Sequence, residues 1–216
     1  MSDPLLSEQL RYYRRRAAEY DLTAYGDLEV ARRRVERLIS QMHPEGDVLE
    51  IACGTGMWTE ALARTARNVT ATDAAPEALQ LARDRVTRTN VVFDVADIFC
   101  WEPGRRFDTI FFSAWLSHVP AARFEQFWYK LSTLLAPAGR VLFVDEHVDE
   151  ASKEAYVAGT DEMITRTLRD GSRFQIVKNF VDPDRLIERL ADLGWSSQIH
   201  RDGSDWIIGE AHRMQT

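Results

Sequence analysis

The sequence predicts an α/β fold, a doubly wound and mainly parallel sheet covered by helices on both faces. Three observations predict it. Apolar, β-branched segments alternate with amphipathic helical ones between residues 47 and 146, the pattern of a parallel sheet built from crossover units. A glycine turn, Cys53-Gly54-Thr55-Gly56, joins the first strand to a helix, and such a turn lets a ligand approach the backbone closely. Three acids, Glu50, Asp73 and Asp97, fall at or just after strand ends, at the carboxyl edge where doubly wound sheets hold ligands.

Residues 7–21 and 27–42 carry apolar positions at helical spacing and form an N-terminal helical cap. A strand near 47–52 runs into the glycine turn, and a helix near 57–67 leaves it. Val69 to Asp73 is the second strand, followed by a helix over 76–88, and 91–95 is the third. Phe107 to Ser113 is the fourth strand, a helix covers 121–135, and 140–146 is the fifth strand. Beyond it the pattern changes. Residues 150–170 are polar and read as helical, Arg173 to Asn179 alternates as a strand, Pro183 to Leu193 is a helix closed by Gly194, and 197–211 is a strand or hairpin about Asp202-Gly203. With no repeat and no low-complexity linker, residues 1–216 read as one domain.

A formal net charge of -7 argues against a nucleic-acid partner, which calls for a basic face. The clusters Arg14-Arg15-Arg16 and Arg32-Arg33-Arg34 are interspersed with Glu19, Glu29 and Glu36, the pattern of solvated helix faces. Two cysteines, Cys53 and Cys100, give neither a disulfide framework nor a C-x-x-C metal pair, which fits a reducing cytoplasm. Ser2-Asp3-Pro4 leads into an Arg- and Tyr-rich helix rather than a signal peptide, and no apolar run reaches membrane-spanning length. A monomer or homodimer acting on a small molecule is expected.

The ligand is narrowed by what the glycine turn lacks. A dinucleotide fingerprint starting at Gly54 would place a third glycine at Thr59, so NAD is a poor fit. The segment Glu50 to Gly56 instead resembles motif I of the class I S-adenosylmethionine (SAM)-dependent methyltransferases, although Ala52 stands where many members have glycine. Val69 to Asp73, Val91 to Phe99, Phe107 to Pro120 and Leu135 to Val144 resemble that family's later strands and loops, so the likeness runs from about residue 8 onward. It implies a Rossmann-like seven-stranded sheet whose last strands form an antiparallel edge, and SAM as the cofactor. It implies that Asp73 holds the ribose hydroxyls and that Asp97 and Ile98 meet the adenine. Tyr20, Glu50, Ala52, Gly54, Gly56, Trp58, Thr59, Ala74 and Ser113 complete the expected cofactor set. In such enzymes residues 1–46 would be a helical lid and 148–172 an acceptor-side insertion, rich in Arg and carboxylates and suited to a polar acceptor.

Methyl transfer from a sulfonium is an in-line displacement, so the protein aligns the acceptor and, for a hydroxyl, removes its proton. His147, in Asp145-Glu146-His147 after the fifth strand, is the first candidate base, with Asp145 or Glu146 orienting it; His118, after the fourth strand, is the second. Asp145, Glu146, Asp149 and Glu150 offer hard oxygen ligands of the kind Mg2+ accepts. The acid that small catechol-type methyltransferases place after the fourth strand is replaced here by Ser113-Ala114, so their metal site does not transfer. The expected reaction is O-methylation of a sugar or specialised-metabolite hydroxyl, with Trp101, Trp115, Trp128, Tyr129 and Tyr156 as candidate flat walls. The alternatives are N- or carboxyl-methylation, or cofactor binding without turnover.

Overall fold

A computed structural model describes residues 4–214; Ser2 and Asp3 of the N-terminal reading lie outside them. The chain begins with α1 (Pro4–Arg16), a short 3-10 turn, α2 (Tyr20–Ala24) and α3 (Leu28–Met42). Asp27 starts α3 by accepting the Glu29 and Val30 backbone N–H groups at 2.9 and 3.1 Å, which supplies partners for two donors that a helix start leaves open.

Then β1 (Asp47–Ile51), α4 (Met57–Leu62), β2 (Asn68–Asp73), α5 (Pro76–Arg85), β3 (Val91–Val95), β4 (Phe107–Ser113), α6 (Phe124–Leu134) and β5 (Leu135–Glu146) follow. The C-terminal part holds β6 (Met163–Thr167), β7 (Arg173–Val177), α7 (Pro183–Asp192), β8 (Trp195–Asp202) and β9 (Trp206–Arg213). Seven strands form one sheet in the order β3-β2-β1-β4-β5-β9-β8. Strands β1 to β5 pair in parallel, whereas β9 runs antiparallel between β5 and β8. The chain order reverses between β1 and β4, which opens the crevice above the carboxyl ends of those strands.

Both faces of the sheet are covered. One face packs Leu49, Phe112 and Phe143 against Phe127, Trp128 and Leu131 of α6. The other packs Val48, Phe111 and Leu142 against Leu38 of α3 and Trp58 of α4. Each such side chain contributes about 1.5–3 kcal/mol by leaving water. Phe112 and Phe143 stack with centroids 5.4 Å apart and planes 9° apart, fixing β4 against β5.

The segment after β5 departs from expectation. Residues 150–170 were read as helical, but only Val148–Lys153 forms a 3-10 helix, and β6 pairs antiparallel with β7 in a separate hairpin. Ile164, Leu168, Phe174 and Ile176 bury the hairpin against Tyr12 of α1. Period-two burial against a neighbouring helix decides the strand, and Gly171 at φ +84° closes the turn. No helix among the described residues is long and apolar enough to cross a membrane.

Candidate cofactor and acceptor site

The glycine turn sits where β1 ends beside β2. Cys53 N–H donates to the Thr72 carbonyl at 2.9 Å, and Gly54 N–H donates to Asp73 Oδ2 at 2.9 Å. Ala75 N–H donates to Asp73 Oδ1 at 2.8 Å. Each carboxylate oxygen keeps a second lone pair for a ligand hydroxyl. Burial raises the Asp73 pKa, and those N–H donors oppose the rise.

The two glycines serve different ends. A Cβ on Gly54 would meet nothing within 4 Å, whereas one on Gly56 would come within 3.0 Å of Ala82 on α5. Gly54 therefore leaves space for a ligand, and Gly56 lets two helices close. Ala52 and Ala114, just past β1 and β4, take left-handed φ values of 54° and 46°. For alanine this costs about 1–2 kcal/mol, and Ala52 thus adopts the conformation that glycine adopts easily.

A cavity of about 160 Å³ opens above these strand ends. Of the expected cofactor residues, Tyr20, Ala52, Gly54, Asp73, Ala74, Asp97, Ile98 and Ser113 line it. Gly56 and the buried Glu50 and Thr59 do not; they lie in and beneath the turn, and Trp58 lines a second cavity instead. Glu50 is 2% exposed and its Oε2 has no hydrogen-bond partner, so burial lifts its pKa to about 8. The carboxyl is therefore neutral at pH 7, and a cationic ligand bound above the turn would favour its ionisation. Asp97 accepts Phe99 N–H at 3.0 Å, which holds its carboxyl beside the apolar Ile98. The lining fits SAM in its chemistry: Asp73 would suit the ribose hydroxyls, Asp97 and Ile98 the adenine, and the backbone is open at Gly54.

The second cavity, about 570 Å³, lies between the N-terminal helices, the β6–β7 hairpin and the sheet. Tyr13, Tyr20, Ala52, Gly54, Ser113, Ala114 and His118 line both cavities, so the two meet at this seam. Beyond the seam stand Arg16, Arg166 and Lys178. Arg166 is ion-paired with Glu154, and Lys178 Nζ lies 3.0 Å from Glu146. Arg16 donates to Thr23 Oγ1 at 3.1 and 3.2 Å and lies 4.7 Å from the Tyr20 ring centroid. Among the described residues, no carboxylate pairs with it.

The two histidines separate. His118 Nδ1 lies 2.7 Å from the Val177 carbonyl, so it carries the proton and donates; Nε2 accepts the Tyr13 hydroxyl at 2.9 Å. Burial, then the nearby Lys178 charge, holds its pKa well below the usual histidine range. His147 lines neither cavity: its Nδ1 accepts Asp149 N–H at 3.1 Å, at the start of the 3-10 helix. Asp145 is fully buried and accepts the Ser117 and Glu146 N–H groups at 3.2 and 2.8 Å. Only Glu146 of that trio reaches the acceptor cavity, and there it faces Lys178.

The structure gives no support to the Mg2+ expectation at Asp145 and Glu146. No group of three or more His, Cys, Asp or Glu among the described residues is placed to share an ion. Asp149 pairs with Arg201 at 2.7 Å and Glu150 with Lys153 at 2.7 Å.

The candidate walls also redistribute. Trp128 is fully buried in the core, Trp101 stacks on Phe107, Tyr129 is exposed on α6, and Tyr156 packs with the hairpin cluster. Trp115 lines the cofactor cavity. The second cavity instead takes Trp58, Trp206, Arg16, Arg34 and Lys178; the sequence puts Arg16 and Arg34 in Arg clusters and Trp58 in the cofactor set, and gives Trp206 and Lys178 no role.

The sheet order, the glycine turn and the cavity it shares with Asp73 and Asp97 define a class I SAM-dependent methyltransferase, and the chain belongs to that family. A methyltransferase-domain family model matches residues 48–139. Over its whole length the chain is 38% identical to the protein in the DhpI-SAH complex, with a TM-score of 0.86 and all of both chains covered. The DhpI-SAM-HEP complex gives the same identity and TM-score, covering 98% of this chain and 99% of that one. The ubiquinone biosynthesis O-methyltransferase of Xanthomonas euvesicatoria pv. vesicatoria (strain 85-10) is 32% identical over 68% of this chain, which spans 61% of that relative.

Proposed function

We propose that this methyltransferase acts on an oxygen of a small acidic acceptor. The observation that carries the reading is the seam, where His118 is neutral and already occupied by Tyr13 while Arg16, Arg166 and Lys178 line the cavity beyond. Bound SAM supplies an electrophilic methyl group. An acceptor oxygen that is already anionic needs no base, so the chain has only to bind, align and dry it. Arg16 has no competing carboxylate and would take the acid directly; Arg166 and Lys178 would share theirs. The N-terminal helices would act as the lid and the segment 148–172 as part of the acceptor wall, within one domain. The likeness to a protein seen with SAM and HEP together supports a small acceptor.

A hydroxyl acceptor is the second reading, favoured by the Tyr13–His118 pair and by the O-methyltransferase relatives. There the acceptor proton would pass to the Tyr13 oxygen as Tyr13 gives its own to His118 Nε2. One experiment separates the two: mass-spectrometric screening of acids against neutral alcohols and sugars, repeated with His118→Gln. Methyl esters whose formation survives the substitution support the acidic acceptor. Turnover of neutral hydroxyls alone, lost by about 10²–10⁴-fold in the variant, overturns it.

A further inference from the structure

The acceptor cavity is larger than a small acid needs, and its lining changes character along its length. Toward the hairpin it carries Arg166, Lys178, Glu154 and Thr167; toward α3 and β9 it carries Tyr25, Val30, Val35, Trp58, Trp206 and Arg34. The second lobe is continuous with the seam. Tyr20 lines both cavities, and its ring centroid is 5.8 Å from that of Tyr25 in an edge-on contact. Glu146 joins the lobes, since its carboxylate meets Lys178 and its backbone pairs with Trp206 across β5 and β9.

The Arg34 guanidinium carbon lies 4.2 Å from the Trp206 ring centroid. Its pairing with Asp202 is loose, at 3.7 Å, because Asp202 is already held by Arg37 at 2.6 Å. Arg34 therefore offers a flat cationic plane beside an indole, with Tyr25 and Trp58 as further aromatic surface. Guanidinium planes and aromatic faces both favour planar π partners.

Resting on the acidic-acceptor reading, we propose that the acceptor carries an aromatic tail, and that Trp206 and Arg34 select it. The acid lies with Arg16, Arg166 and Lys178, and the tail enters the lobe beside α3. Sequence patterning hides this, because Arg34 belongs to an Arg-rich helix and Trp206 to the last strand, 172 positions apart.

The test measures calorimetric affinity for the protein loaded with S-adenosylhomocysteine, comparing 3-phenylpropionate with propionate and phenyl phosphate with methyl phosphate. The tailed acid should bind about tenfold or more tightly, the gain expected from burying on the order of 100 Å² of apolar surface. Trp206→Ala and Arg34→Leu should pull that ratio toward one. Val30→Trp, at a position 54% exposed in this structure, should do the same by filling the lobe and does not remove a core side chain. A ratio near one in the unmodified protein, or a ratio that none of the three variants changes, overturns the proposal. The neutral probe 3-phenylpropanol separates the two readings: binding that depends on Trp206, with no acid bound, keeps the lobe and sinks the acidic acceptor.

Discussion

Glu50 shows how one residue can work against stability while serving the site. Its carboxyl is protonated up to about pH 8 in the folded protein, against a reference of 4.5 for an exposed glutamate. The folded state thus binds the proton more tightly, so its stabilising contribution is complete below about pH 4.5 and drains away as pH rises to about 8. Glu50→Gln should flatten the decline in melting temperature across that window, by an amount on the order of a few kcal/mol near pH 8. A decline equally steep in the variant would contradict the assignment. At this scale the sequence was partly legible. The shared cavity of Gly54, Asp73 and Asp97 is readable because all three fall at or just after strand ends. Lys178 and Trp206 are not, since only packing brings the end of β7 and β9 to one cavity. That His118 lines both cavities and His147 neither is likewise invisible in sequence, because it turns on which way the loops after β4 and β5 face.

Among the elements, α2 is tied down where it covers the glycine turn. Asp21 is ion-paired with Arg85 of α5 and accepts the Thr55 hydroxyl at 2.5 Å, while Arg85 also donates to the Thr55 carbonyl at 2.8 Å. Both charged side chains are only a quarter or so exposed, so the pair is worth about 1 kcal/mol rather than nothing. Arg85→Met should therefore loosen α2 and weaken S-adenosylhomocysteine binding about fivefold by calorimetry, while leaving far-UV circular dichroism unchanged; unaltered affinity would show that α2 does not contribute to holding the cofactor. The strands from β1 to β5 and the β8–β9 hairpin were legible because their apolar runs and turns are local signals. Strand β7 was legible as the alternation from Arg173, but β6 was obscured by Arg166, Arg169 and Asp170, although Ile164-Thr165, Thr167 and Asp170-Gly171 carry β-branched and turn signals that polarity outweighed.

For the whole molecule, ligand binding and unfolding are linked, since the cavity draws on β1, β2 and β4 together with α1 and the loop after β3. S-adenosylhomocysteine at about one hundred times its Kd should add about 2.7 kcal/mol and raise the melting temperature by about 5–10 °C, measured by scanning calorimetry. NAD at the same concentration should not, and a shift with NAD alone would contradict the cofactor assignment. The overall α/β architecture was legible from alternation alone, whereas the second cavity and its size arise only when distant segments meet. The placement of β9 has a further consequence, for biogenesis. Val141 to Glu146 of β5 pair with residues 206–211, so a chain emerging from the ribosome holds one apolar edge of β5 open until those residues appear. Such an open edge recruits other chains. The nascent protein would depend on chaperones until then, and termination ahead of β8 would yield aggregates in place of a shortened enzyme.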